Sequence, residues 1–206
     1  MKTYKTEQEE FWASEFGDAY IDRNKDQNLF RSNVALFSKI IARTTGVNSI
    51  IECGANIGMN LKALQHIIPR AEFAGIEINQ KAVEQLRQIE GVEVYHESLL
   101  NFVPTVQYDL TLIKTVLIHI NPDELSKIYD LLYSTSNKYI CIIEYYNPSP
   151  VEVTYRGHEG KLFKRDFAGE LMDRFSELQL VDYGFVYKRD PNFAQDDVTW
   201  FLMEKR

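Results

Sequence analysis

Glu52, Gly54, Asn56 and Gly58 stand at alternate positions directly after the apolar pair Ile50-Ile51. Glycine at two of them leaves the backbone bare where a bulky ligand must approach the peptide groups. An apolar run, an acid and a glycine turn begin many nucleotide-binding α/β folds, so the chemistry expected here is capture of a nucleotide-like cofactor. A second acid, Glu77, follows Gly54 by 23 positions, the spacing at which a carboxylate accepts hydrogen bonds from both hydroxyls of a ribose. Its competing role is a helix-start carboxylate favoured by the macrodipole. A dinucleotide fingerprint requires G-x-G-x-x-G, and this chain has Asn56 at the second glycine and Asn60 near the third, which counts against a nicotinamide cofactor. Asn56 is tolerable there because asparagine enters left-handed backbone conformations more readily than most residues. His119 lies in the apolar stretch Val116–Ile120. Imidazole titrates near neutral pH, so His119 is a candidate proton acceptor, its competing role being a satisfied core residue.

These residues are positioned by alternating strands and helices. Strands are expected at 49–53, 72–78, 92–96, 108–114 and 139–144, and helices at 59–68, 80–89 and 121–134 between them. Asn121 caps the last of these, with Pro122 in its first position and Asp123 and Glu124 in its first turn. Earlier, Thr6 and Glu9 form a capping box for a helix through about Phe16, with Gly17 as its stop, and a second helix covers 29–42. Helix 167–175 and two strands, 178–187 and 198–204, close the chain. Repeated βα units predict an α/β fold with a mostly parallel sheet, helices on both faces and an antiparallel hairpin at one edge. In such sheets ligands bind beyond the carboxyl ends of the strands where strand order reverses. That places Ser98 and Leu99 after the third strand, Lys114 and His119 at the end of the fourth, and Glu144 at the end of the fifth.

With 206 residues, 45% of them apolar, the chain fits one domain with a sizeable core. A formal charge of −7 argues against a general affinity for nucleic acid. No apolar run reaches the roughly 18 residues of a membrane span. The polar start lacks a secretory signal, so a cytoplasmic protein is expected. Cys53 and Cys141 fall in predicted core strands and read as buried thiols, with no disulfide and no metal site. Oligomeric state leaves no mark in the sequence.

The order acid-x-Gly-x-Asn-x-Gly resembles the first motif of S-adenosylmethionine-dependent methyltransferases. A narrower likeness is carried by Thr6–Trp12, Tyr20–Asn24, Gly54–Gly58, Leu117–Pro122, Glu144–Pro148, Tyr155–His158, Phe163–Phe167 and Asp196–Trp200. Across nearly all of its length the chain resembles the methylases associated with pseudaminic acid biosynthesis, a group named largely from its genetic setting. The resemblance implies the seven-stranded Rossmann-like methyltransferase sheet and S-adenosylmethionine as cofactor, with S-adenosylhomocysteine as product. It implies Glu52, Gly54, Asn56, Gly58 and Glu77 as cofactor residues. Ser98 and Leu99 would meet the adenine and Lys114 the methionine end. Cys53 departs from the aliphatic residue more usual in the motif, and a small thiol in a strand should not disturb binding. Trp12, Phe16 and Tyr20 form a helical stripe expected to pack on the core; the same helix is expected to fold over the cofactor, with Tyr20 and Arg23 reaching the methionine carboxylate.

The long stretch 145–166 is the candidate acceptor-binding insertion. Between Val151 and Arg165 four cations face two carboxylates, a local charge of +2 that leaves −9 for the rest. Such a patch suits an anionic small-molecule acceptor, a carboxylated sugar or nucleotide sugar, with Arg156 as a two-pronged clamp and Tyr146, Tyr155, Lys161 and Arg165 around it. Incidental charges on a solvated loop give the same pattern. Methyl transfer to a hydroxyl requires a base, for which His119, His158 and Glu144 are the candidates, whereas burial alone keeps an amine nucleophilic. The sequence leaves oxygen and nitrogen acceptors open. It also leaves open a non-catalytic cofactor-binding partner in a polysaccharide biosynthesis complex and a protein methyltransferase.

Overall fold

A computed structural model describes residues 4–21 and 26–206. The chain opens with helices α1 (Glu7–Ala13), α2 (Glu15–Ile21) and α3 (Gln27–Ile41). Then come β1 (Ser49–Cys53), α4 (Met59–Ile67), β2 (Glu72–Glu77), α5 (Gln80–Leu86), β3 (Val92–His96) and β4 (Tyr108–Lys114). Two 3-10 helical turns, Leu117–His119 and Pro122–Glu124, precede α6 (Leu125–Thr135) and β5 (Ser136–Glu144). A short hairpin of β6 (Val151–Glu152) and β7 (Phe163–Lys164) leads to α7 (Phe167–Arg174), β8 (Leu178–Val186) and β9 (Val198–Lys205).

Seven strands pair in the order β3-β2-β1-β4-β5-β9-β8, and β9 alone runs against the others. The central strands are buried on both sides, and the period of two sends alternate residues to two cores. Ile51, Ile113, Ile140 and Ile142 join α6 and α7 on one face. Ile50, Leu110, Leu112 and Ile143 join α3 and α4 on the other. Cys53 belongs to the first core and Cys141 to the second, both as free thiols whose ionisation burial suppresses. The mostly parallel sheet, the antiparallel β8–β9 pair at one edge and the helices on both faces are as expected from the sequence. The strand order reverses between β1 and β4, which fixes where a ligand cleft must open.

Three local expectations need correction. Helix α1 ends at Ser14, and Gly17, expected to stop it, lies inside α2. A Cβ on Gly17 would sit 1.9 Å from the Trp12 carbonyl oxygen, so glycine serves the close approach of two helices here. The capping box itself is present, with Thr6 and Glu9 exchanging side-chain and backbone hydrogen bonds. Pro122 begins a 3-10 turn rather than the α-helix, which starts at Leu125. The insertion, read as irregular, contains the β6–β7 hairpin and a tight turn in which Tyr155 and His158 exchange backbone hydrogen bonds across Arg156 and Gly157, both at positive φ. Among the described residues no helix is long and apolar enough to cross a membrane, and no cluster of side chains suits a metal ion.

Candidate cofactor and acceptor cleft

At the carboxyl ends of β1 and β4 the chain turns under a cleft holding about 1410 Å³ of empty space, its open mouth included. Gly54 adopts φ +79°, and a Cβ there would lie 2.5 Å from Val116 Cγ2, which lines the same cleft. Asn56 takes φ +49°, the left-handed backbone expected of it. Backbone N–H groups of Gly54 and Ala55 both donate to the Ile76 carbonyl at 2.9 Å, tying the turn to β2. Gly58 caps α4 at φ +79° and packs toward Ile89 and Leu86 instead of lining the cleft.

Glu77 closes β2 with its carboxylate inside this turn. Oε2 accepts from the Asn56 N–H at 2.8 Å and Oε1 from the Asn79 N–H at 2.7 Å. Each oxygen thus has one lone pair fixed by backbone and one left for a ligand hydroxyl. Burial raises the Glu77 pKa, and the backbone donors from Asn79 and Asn56 oppose that rise. Ser98 and Leu99 line the neighbouring wall, where the Ser98 hydroxyl donates to Glu9 of α1. Through this bond, and through Gln8 Nε2 to the Gly160 carbonyl at 2.8 Å, α1 is fastened over the cleft.

Behind the turn, Glu52 is 1% exposed and accepts from Asn60 Nδ2 at 2.5 Å. Burial raises its pKa to about 8. Lys114, at the end of β4, donates to Asn33 Oδ1 at 2.9 Å and Asn60 Oδ1 at 3.3 Å, and burial lowers its pKa to about 8. Thr115 follows with φ +54° in the cleft wall, an uncommon conformation for a β-branched side chain.

His119 lines the cleft with its ring centroid 4.5 Å from that of Trp12. Its Nδ1 meets the Lys161 carbonyl at 2.6 Å. A carbonyl only accepts, so the proton resides on Nδ1 and the lone pair on Nε2. Burial lowers the pKa to about 4, leaving the ring neutral at pH 7.

Glu144 stands apart from the cleft. It is 2% exposed, and its Oε1 accepts from the backbone N–H groups of Val116 and Leu117 at 2.8 and 2.7 Å, fixing the turn that carries His119. Burial raises its pKa to about 8. A carboxyl that binds its proton more tightly folded than unfolded stabilises the fold below its unfolded pKa, and that contribution is lost as pH rises through the folded one. Between pH 5 and pH 8 the loss amounts to about 3 kcal/mol. Glu144→Gln removes this titration and keeps an oxygen for the two backbone donors. Thermal melts across that range should therefore fall less steeply with pH for the variant than for the wild type; parallel curves would refute the assignment.

The remaining expected residues divide clearly. Gly54, Asn56, Glu77, Ser98, Leu99, Lys114, His119 and Tyr20 line one cleft. Glu52 and Gly58 support it from behind, and Arg23 lies outside the described residues. Tyr146, Tyr155, Arg156, Lys161, Arg165 and His158, expected at the acceptor, are not among the lining side chains. Tyr155 packs against the Trp12 and His119 rings, and His158 against Phe11 and Phe16. Lys161 pairs with Glu7 at 3.3 Å and Arg165 with Glu170 at 2.7 Å, while Arg156 covers the Tyr155 ring. Much of the patch read as free for an anion is thus engaged within the protein. Sequence reasoning missed Gln8, Glu9, Asn33, Gln195 and Asp196, all of which line the cleft. The segments Thr6–Trp12 and Asp196–Trp200 had been singled out, but neither with a role in the cleft.

The chain matches no family model and no curated protein sequence. Its backbone superposes on solved structures over its whole length. Magnesium protoporphyrin IX methyltransferase (ChlM) from Synechocystis PCC 6803 with bound SAM is similar with TM-score 0.72 and 13% identity, covering 100% of both chains. The chain has the Rossmann-like methyltransferase fold. The 1,6-didemethyltoxoflavin-N1-methyltransferase of Burkholderia thailandensis, with its substrate and S-adenosylhomocysteine, gives TM-score 0.69 at 14% identity over 100% of this chain and 93% of that one. The plantazolicin methyltransferase BpumL, in complex with a monoazolic desmethylPZN analog and SAH, gives 0.64 at 16% identity over 96% and 93%. In this methyltransferase fold the Gly54–Gly58 turn and Glu77 occupy the two strand ends beside the switch point.

Proposed function

We propose that the chain transfers a methyl group from S-adenosylmethionine to an oxygen or nitrogen of a small polar acceptor. The observation that carries this reading is Glu77, whose two oxygens are each pinned by one backbone N–H beside the glycine turn, leaving both able to accept from vicinal hydroxyls. The cleft fits the cofactor: without a side chain, Gly54 lets Val116 pack directly on the turn, and Asn33, Lys114 and Asp196 supply polar groups in the wall. When bound, the cofactor supplies a methyl already activated on a sulfonium. The protein's share is alignment, exclusion of water and acceptance of a proton. Helix α1 covers the cleft, and we assign proton uptake to His119, a cleft-wall residue whose Nδ1 is held by the Lys161 carbonyl and whose Nε2 keeps its lone pair.

The finer reading is an acceptor from amino-sugar or nonulosonic-acid metabolism. It is supported by the resemblance of the Tyr145–Pro148, Tyr155–His158 and Asp196–Trp200 segments, and the β8–β9 segment among them reaches the cleft at Asp196 and Val198. Radiolabelled methyl transfer tests both levels, using nucleotide-linked amino sugars, free and activated nonulosonic acids, and unrelated amines and proteins as acceptors. Label on a sugar supports the full reading, and label on a protein redirects it to protein methylation. Cofactor binding without transfer to any acceptor favours the non-catalytic partner.

His119→Asn separates the two acceptor chemistries. An asparagine amide cannot take up a proton, so with a hydroxyl acceptor kcat should fall about a hundredfold while the affinity for S-adenosylhomocysteine stays put. An unchanged kcat would remove His119 from the proton path.

A further inference from the structure

Far from the glycine turn, the last strand of the sheet leaves an aromatic face in water. Strand β8 pairs only with β9. Leu180 is opposite Met203 and Tyr183 opposite Phe201, and both partners pack into the core under α6 and α7. Leu180, Tyr183 and Phe185 therefore share that face of the sheet. They are 43%, 63% and 61% exposed, and Tyr187, its ring centroid 6.1 Å from that of Phe185, is 47% exposed. Tyr183 stacks on Phe201 at 6.2 Å, and Tyr146, 44% exposed, stands 6.0 Å from Phe201 on its other side. Asp182 lies on the opposite face, opposite Leu202, and is paired with Arg43 at 2.8 Å. The face from Leu180 to Tyr187 thus carries no charge.

Four rings, each about half exposed, leave about 400 Å² of aromatic surface in water. A patch of that size is often functional. The edge of β8 does not invite a further strand. A bulge between Leu180 and Asp182 breaks its register, and Asp182 Oδ1 takes the Tyr183 N–H at 2.9 Å. A partner must cover the face instead.

A second copy fits that face. In a two-fold contact each patch meets its own kind, which rings and leucine tolerate and like charges do not. On a chain of formal charge −7, an uncharged face is where two copies approach with least repulsion. A stable interface takes about 800 Å² from each partner, with an aromatic-rich centre and a polar rim. The rings supply a centre of about half that area, and exposed Lys188 and Arg189 begin the rim.

We propose that the chain forms a two-fold dimer in which the Tyr183–Phe185–Tyr187 face packs on the same face of a second copy. The contact is independent of what the cleft binds.

Sedimentation equilibrium of the full chain at micromolar concentration should show a species of twice the 24.0 kDa chain mass. Tyr183→Glu sets a charge against its own image and should weaken the dimer about a hundredfold, and Phe185→Ser about tenfold. Both side chains are mostly exposed, so far-UV circular dichroism should match the wild type. If Tyr183→Glu does not fold, Phe185→Ser carries the test. Val103→Glu, 76% exposed in the connection after β3 at the opposite edge, should leave the dimer unchanged. Added salt should keep or tighten the dimer, since it screens two like-charged copies. A monomer throughout, whose face then serves a different partner, would overturn the proposal. So would a dimer that salt dissolves, that both patch variants leave intact, or that Val103→Glu weakens equally. An open-ended series of larger species would also overturn it, because a two-fold contact closes.

Discussion

Glu77→Ala is expected to lower the affinity for S-adenosylhomocysteine about a hundredfold. The carboxylate joins the two halves of the cofactor site, taking the Asn56 N–H on Oε2 and the Asn79 N–H on Oε1. Alanine removes the acceptors for two ribose hydroxyls and also leaves two backbone donors unpaired. At roughly 1–3 kcal/mol for each buried polar group left unsatisfied, a hundredfold loss lies within reach. Glu77→Gln keeps one oxygen and should fall between wild type and alanine. Calorimetric titration checks both, and affinities unchanged in Glu77→Ala would remove the ribose role and return Glu77 to a helix-start carboxylate.

The largest effect on stability is expected at Gly58. Its φ of +79° costs an L-residue roughly 1–2 kcal/mol, and a Cβ there would lie 2.3 Å from Ile89 Cδ1 and 2.7 Å from Leu86 Cδ1. Both neighbours are buried, so relief requires repacking, at roughly 1–3 kcal/mol. Gly58→Ala should therefore destabilise the fold by about 3 kcal/mol and lower Tm by about 10 °C. A Tm within a degree or two of wild type would show that the turn can relax and that glycine is dispensable there. Gly58 does not line the cleft, so the variant's affinity for the cofactor, measured below its melting range, should change less than that of Glu77→Ala.

The parts of this protein written locally were legible without coordinates. A strand whose alternate residues enter two cores must be apolar throughout, and β1, β4 and β5 are nearly so. Left-handed backbone favours glycine and asparagine, so the turn at Gly54, Asn56 and Gly58 announces itself, whereas Thr115 and Arg156 at positive φ do not. Glu77 was legible because strand, acid and helix follow one another within a few residues. The mostly parallel sheet, the antiparallel pair at one edge and the glycine turn follow from such short-range rules, whereas the seven-stranded architecture was implied by resemblance.

What tertiary structure alone decided is how distant polar residues are used. Asn33 sits in a helix where an asparagine reads as solvent-facing, yet packing of α3 buries it against Lys114, 81 positions away. Gln195 and Asp196 belong to a connection with no pattern of its own and are carried to the cleft by β9, which enters the sheet beside β5. Conversely, Lys161 looked available because its partner, Glu7 in α1, is 154 positions away in sequence. Glu144 ends a strand just as Glu77 does, but the chain beyond it turns so that its carboxylate meets backbone N–H groups instead of the cleft. Hydrophobic periodicity and backbone sterics act over a few residues and are printed in order along the chain. Hydrogen bonds and ion pairs depend on which groups the folded sheet brings within 3 Å or so of each other, and neighbours in sequence do not record that.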